Sequence, residues 1–172
     1  MYLVFIDNMD KYPRICIDRI FGQPPLPYIA SDKTHHFLGQ MPDVERAAIV
    51  VSKMWPQKRT LRIRFLEGDS YVQEKVKEMA RIWTDISNLK FQYVDDKDAD
   101  IQIAFQPGAL SWSTVGTDAN TVNPGEATMN LGWLDKNTPD KEYSRVVKHE
   151  FGHAIGLIHE HENPADGIYH LA

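Results

Sequence analysis

His149-Glu150-Phe151-Gly152-His153-Ala154-Ile155-Gly156-Leu157-Ile158-His159 is the stretch whose reading decides the fold. On an α-helix, residues four apart lie one turn apart on one face, so His149 and His153 can aim their rings at one point. Zinc takes histidine nitrogens at about 2.0–2.1 Å in tetrahedral geometry. His159 cannot join them along a continuous helix, because ten residues carry it roughly 15 Å up the axis. The helix must end and the chain must turn back. Gly156 stands where that turn is needed, since glycine tolerates positive φ and commonly closes helices. Three histidine ligands leave a fourth position open, which marks a catalytic rather than a structural site. Glu150 sits about 100° around the helix from His149, bordering the metal without having to bind it. A carboxylate there can take a proton from a metal-activated water and pass it to the leaving amine. Two histidines four apart can also be a plain surface pair. Gly156 and His159 at the required offsets favour the zinc reading. His161, two residues past His159, is expected to point away.

Upstream, Thr138 is expected to cap the helix that carries the site, with Pro139 at its first position. That helix runs through Tyr143, Val146, Val147 and His149 towards Gly156. Ala127–Leu131 reads as a short strand, and residues 106–126 as a long loop rich in Gly, Ser, Thr and Asn. Ser70 and Gln73 form a capping box at the head of another helix, whose Val72, Val76, Met79, Trp83 and Ile86 make one apolar face. Strands are predicted from the alternation of Leu61, Ile63 and Phe65, from Phe91 and Tyr93, and from Ile101, Ile103 and Phe105. The acidic run Asp95-Asp96-Lys97-Asp98 reads as a solvated turn, since the spacing of a calcium loop is absent. Asp43 is expected to cap a helix ending before Pro56. Residues 1 to about 41 have weak periodicity. They contain Gln23-Pro24-Pro25-Leu26-Pro27, which favours an extended linker, and His35-His36, read as solvated surface.

The chain has 172 residues, 42% of them apolar, which is enough for one cored domain and an extension. The net charge of −5 offers no basic field for nucleic acid. No apolar run approaches the roughly 20 residues of a membrane span. The single cysteine, Cys16, excludes an internal disulfide. The N-terminal run Met1–Asp7 is too short for a signal-peptide core, and no basic residue precedes it.

The pattern His149-Glu-x-x-His153-x-x-Gly156-x-x-His159 resembles the extended zinc signature of the metzincin metallopeptidases. Glu160 after the third histidine, and the stretch Asp98–Phe105, make it look most like the astacin branch. The resemblance covers about residues 54 to 164. It implies an α+β fold, the metzincin upper subdomain: a twisted mixed sheet with a backing helix and an active-site helix. It further implies a zinc-dependent endopeptidase acting on polypeptide substrates, with an edge strand of the sheet pairing with the extended substrate. Ala127, Thr128, Met129, Asn130 and Leu131 match that strand's place. The sequence itself leaves the compartment unknown; the resemblance implies an extracellular setting, although no signal peptide is visible. Residues 1–53 are then an N-terminal extension or pro-segment-like region, and 54–172 the N-terminal subdomain of the catalytic domain. The family's Met-turn lies tens of residues past the third histidine. Thirteen residues follow His159 here, and none of the methionines stands at that place by order. Cys16 lacks the context of a matrixin latency cysteine. Phe65-Leu66-Glu67-Gly68-Asp69 has one residue too many for the astacin latency motif. An alternative reading is a catalytically inactive fragment that binds zinc and peptide.

Overall fold

The computed structural model describes residues 3–5, 14–19, 47–49, 51–108 and 110–159; for 3–5, 14–19, 47–48 and 159 it describes the backbone alone. The elements are β1 Leu3–Phe5, β2 Arg14–Arg19, β3 Ala47–Ile49, a 3-10 turn Val51–Lys53, β4 Thr60–Phe65, α1 Ser70–Ile86, β5 Lys90–Tyr93, β6 Ile101–Ala104, β7 Ser111–Thr114, a 3-10 turn Gly116–Thr121, β8 Met129–Asn130, α2 Asp140–Ala154 and β9 Leu157–His159. The expected α+β class holds. A seven-stranded sheet has the order β1-β2-β7-β8-β6-β4-β5, and β3 pairs with β9 in a separate ribbon. β4 lies parallel to β5 and to β6, β6 is parallel to β8, and β7 is antiparallel to β8. The β4–α1–β5 crossover is the connection parallel neighbours require.

Both helices bury one face. Val72, Val76, Ala80 and Trp83 of α1 are buried, as are Tyr143, Val146, Val147 and Phe151 of α2. They share one core with Leu61, Ile63, Ile101, Ile103 and Met129 from the sheet. β6 is buried on both faces: Ile101 and Ile103 join the core shared with the helices, and Gln102 on the other face accepts from the Gly125 N–H at 2.9 Å.

Four expectations need correction. Where a helix is predicted to follow Asp43, the described residues form β3 and a 3-10 turn; β-branched Ile49 suits a strand that has β9 to pair with. Asp43 itself, with His35, His36 and His161, lies outside the described residues. The cap of α1 is Asp69, whose carboxylate accepts from the Tyr71 N–H at 2.9 Å, while Gln73 reaches back to the Glu67 and Gly68 carbonyls. Asp69 of the Phe65–Asp69 stretch is therefore a helix cap. Thr138 does not cap α2: its hydroxyl closes the preceding turn, accepting from the Asp135 N–H and donating to the Asp135 carboxylate. The supposed loop 106–126 contains β7, whose Ser-Trp-Ser-Thr sequence carries no apolar alternation yet is buried throughout.

The acidic turn is solvated as expected. The Arg62 guanidinium donates to Asp96 at 2.6 Å and holds its carboxyl below the usual carboxylate range.

Two tyrosines make stability sensitive to alkali. Tyr143 is fully buried, donates its hydroxyl to the Asp135 carbonyl at 2.9 Å, and has its pKa pushed up to about 12 by burial. Burial raises Tyr93 as well. An unfolded tyrosine titrates near about 10. Above that pH the unfolded chain holds fewer protons than the folded one, so stability must fall as pH rises. Urea unfolding should give a stability unaffected by these groups below about pH 9 and declining from about 10 to 12, less steeply in Tyr143→Phe.

Candidate metal centre

α2 carries the site, and its position follows from packing on both sides. Trp83 of α1 is 3% exposed, and its indole N–H donates to the Lys148 carbonyl at 3.0 Å. Its six-membered ring lies against Gly152, where a Cβ would meet Cζ2 at 3.2 Å. Lys148 and Gly152 immediately precede His149 and His153, so α1 grips α2 one residue before each histidine. At the C-terminal end, the Trp55 indole N–H donates to the Ala154 carbonyl at 2.8 Å. The helix stops there. Gly156 has φ +111°, and its N–H donates to the His153 carbonyl at 2.9 Å. That left-handed turn sends Leu157–His159 off as β9, as the reading of Gly156 required.

The two helical histidines converge. Their Nε2 atoms lie 3.1 Å apart, with the rings at 88°. Two nitrogens about 2.0–2.1 Å from one tetrahedral ion stand roughly 3.3 Å apart, so the pair fits a shared metal with little movement. His153 Nδ1 lies 2.8 Å from the Leu157 carbonyl, which can only accept. The proton therefore sits on Nδ1, and the Nε2 lone pair faces His149 and the metal position. Sequence reasoning missed this carbonyl, since nothing marks Leu157 except its place after the turn.

Glu150 is fully buried within α2, next in sequence to His149. His159 ends β9 with its backbone in register with Ala47; its side chain lies outside the described part. No group of three metal-binding side chains converges among the described residues. The donor set of two neutral imidazoles suits zinc and other borderline divalent metals.

The segment Ala127–Leu131 is not where an extended peptide can add. β8 has β6 on one side and β7 on the other. The Thr128 N–H donates to the Gln102 carbonyl and its carbonyl accepts from Thr114, both at 2.8 Å; Leu131 N–H donates to the Ala104 carbonyl. Thr128, Met129, Asn130 and Leu131 are buried. Within residues 54–159 the outermost strand on that side is β7, and β2 lies parallel along it.

A mixed sheet of this order, with two mutually packed helices sharing its core and two histidines of the second aimed at one point, is the architecture of the metzincin kind of metallopeptidase. The chain belongs to the matrixin family, whose sequence pattern matches residues 54–166. The astacin branch is not supported; Glu160 was one residue against a family-wide pattern, and it lies outside the described residues. Among curated proteins, the zinc metalloproteinase nas-36 of Haemonchus contortus is 29% identical over 114 residues, 64% of this chain and 16% of that protein. Interstitial collagenase B of Mus musculus is 28% identical over 142 residues, 73% of this chain and 30% of that protein. The chain thus spans less than a third of either relative. Two solved structures of myroilysin are also similar. One has a TM-score of 0.64 at 42% identity, covering 66% of this chain and 55% of that one; the other has 0.62 at 35%, covering 80% and 61%. No helix among the described residues is long and apolar enough to cross a membrane.

Proposed function

We propose that this chain is a zinc-dependent metalloendopeptidase of the matrixin family that hydrolyses internal peptide bonds of extended polypeptides outside the cell. The observation that carries the reading is the 3.1 Å approach of the His149 and His153 Nε2 atoms. His149, His153 and His159 are the ligands. Zinc, when bound, supplies a Lewis acid and activates water at neutral pH. Glu150 accepts the proton of the attacking water and returns it to the leaving amine. The Leu157 carbonyl keeps His153 in the tautomer that presents Nε2. Burial of Glu150 and His153 keeps bulk water away from the proton's path.

The substrate strand adds to β7 rather than to Ala127–Leu131. Residues 54–172 belong to the catalytic domain. The pro-segment-like region 1–53 lies ahead of it, and its β2 covers the edge of β7. A substrate must displace β2 to bind.

The full chain, incubated with a denatured protein substrate, should contain one zinc and cleave. A chelator should stop cleavage and added zinc should restore it. Full zinc occupancy without cleavage would favour the inactive zinc- and peptide-binding fragment. Absence of zinc after reconstitution would overturn both readings.

A further inference from the structure

We propose that Ala47–Ile49 and Val51–Trp55 together form a strap that positions the third ligand, and so belong to the metal centre rather than to a removable extension. The inference rests on the reading of His159 as a ligand. His149 and His153 are fixed by the helix on which they stand. His159 is not: it sits beyond the helix end, on a three-residue strand outside the main sheet. Among the described residues, the only strand partner of β9 is β3, with Ala47 opposite His159 and Ile49 opposite Leu157. An isolated two-stranded ribbon is marginal in water, so other contacts must hold it.

The same short segment supplies them. Trp55 ties itself to the last carbonyl of α2 through the bond to Ala154. The Lys53 and Met54 backbone lies along the turn, where a Cβ on Gly156 would stand 3.5 Å from the Lys53 carbonyl oxygen and from Met54 Cα. On its other side the Lys53 carbonyl meets Gly116, where a Cβ would come within 1.9 Å of the oxygen and 3.2 Å of Gly156 Cα. Gly116 has φ +52°, and only a residue without a side chain allows this approach. Lys53 Nζ also forms an ion pair with Asp118, the two side chains being 16% and 14% exposed. The Lys53 backbone is thus held between the Gly116 turn and the Gly156 turn, and β3 and Trp55 extend the grip in both directions. Trp55, the Lys53–Met54 backbone and β3 each meet the stretch 154–159 that carries the chain from the second histidine to the third, while the Gly116 turn and Asp118 hold Lys53 from its other side. Lys53, Trp55 and Gly116 are positioning residues; none needs to touch metal or substrate.

The test measures zinc affinity in the full chain by competition with a chelator, beside the melting temperature of the metal-free protein. The variants are Lys53→Met, Trp55→Phe and Ala48→Pro, each alone and combined with His159→Ala. Supporting groups of metal ligands typically change affinity about 10- to 100-fold, and a loss of that size is expected in each single variant. In the His159→Ala background the same changes should cost less than about twofold, because their effect passes through His159. A purely structural role would lower affinity equally in both backgrounds and would overturn the proposal. So would affinities within about twofold of wild type in Lys53→Met and Trp55→Phe, which keep β3 intact if Ala48→Pro fails to fold. His159→Ala binding zinc as tightly as wild type would be a different failure: it would remove His159 from the ligand set and the strap's purpose with it.

Discussion

Replacing Glu150 by glutamine is expected to suppress peptide hydrolysis while leaving zinc content and fold unchanged. Glutamine has the shape of glutamate, so the fully buried site keeps its packing. What it loses is the ability to accept a proton at neutral pH. General base catalysis typically contributes about 10²- to 10⁴-fold, and kcat/KM should fall by that factor. Expressed as a barrier, that is about 2.7–5.5 kcal/mol. The proposed ligands are His149, His153 and His159, and the 3.1 Å approach of the first two does not involve Glu150, so zinc should remain bound. Three measurements on one preparation check this: kcat/KM on an internally quenched peptide, zinc per chain, and melting temperature. Glu150→Ala should behave alike in activity. Activity near wild type in Glu150→Gln would remove Glu150 from the mechanism; loss of zinc would make it part of the metal's support instead.

The parts of the fold that were legible in the sequence share a physical trait: their signal is local. The apolar face of α1 and the strands β4 and β5 are amphipathic, so their periodicity is written in consecutive residues. The helical histidines and Gly156 are local in the same way, since helix pitch and the need for positive φ fix them. What stayed hidden depends on distant partners. β7 is a strand because β8 and β2 lie beside it, and its serines and threonine are buried by neighbours more than fifteen residues away. β8 could be read as a strand, but whether it is edge or interior is a property of the sheet's order, which no window of residues contains. β3 was read as a helix for the same reason, because its partner β9 lies more than a hundred residues downstream. The grip of Trp83 on Lys148 and Gly152 was read only as an apolar face, yet it sets where both histidines stand.

Trp83→Ala should strongly destabilise the described core. The side chain is 3% exposed and belongs to the cluster shared by both helices and the sheet. Truncating a buried tryptophan costs about 3–5 kcal/mol, from lost burial and from the cavity left behind. For a chain of this length each kcal/mol lowers the melting temperature by roughly 2–4 °C, so a fall of about 6–20 °C is expected. The consequence extends to the site. The indole bonds to the carbonyl of the residue before His149 and its ring packs on the residue before His153. Without it, α2 can slide or rotate against α1, and the two Nε2 atoms lose their fixed separation. Zinc affinity should therefore fall together with stability. Trp83→Phe separates the contributions: it keeps most of the packing against Gly152 but not the N–H donor to Lys148. Its melting temperature should lie between those of the alanine variant and the wild type, and its zinc affinity should stay nearer to the wild type. If Trp83→Ala melted within about 2 °C of the wild type, other contacts would have to hold α1 against α2, and the packing account of the site would fail.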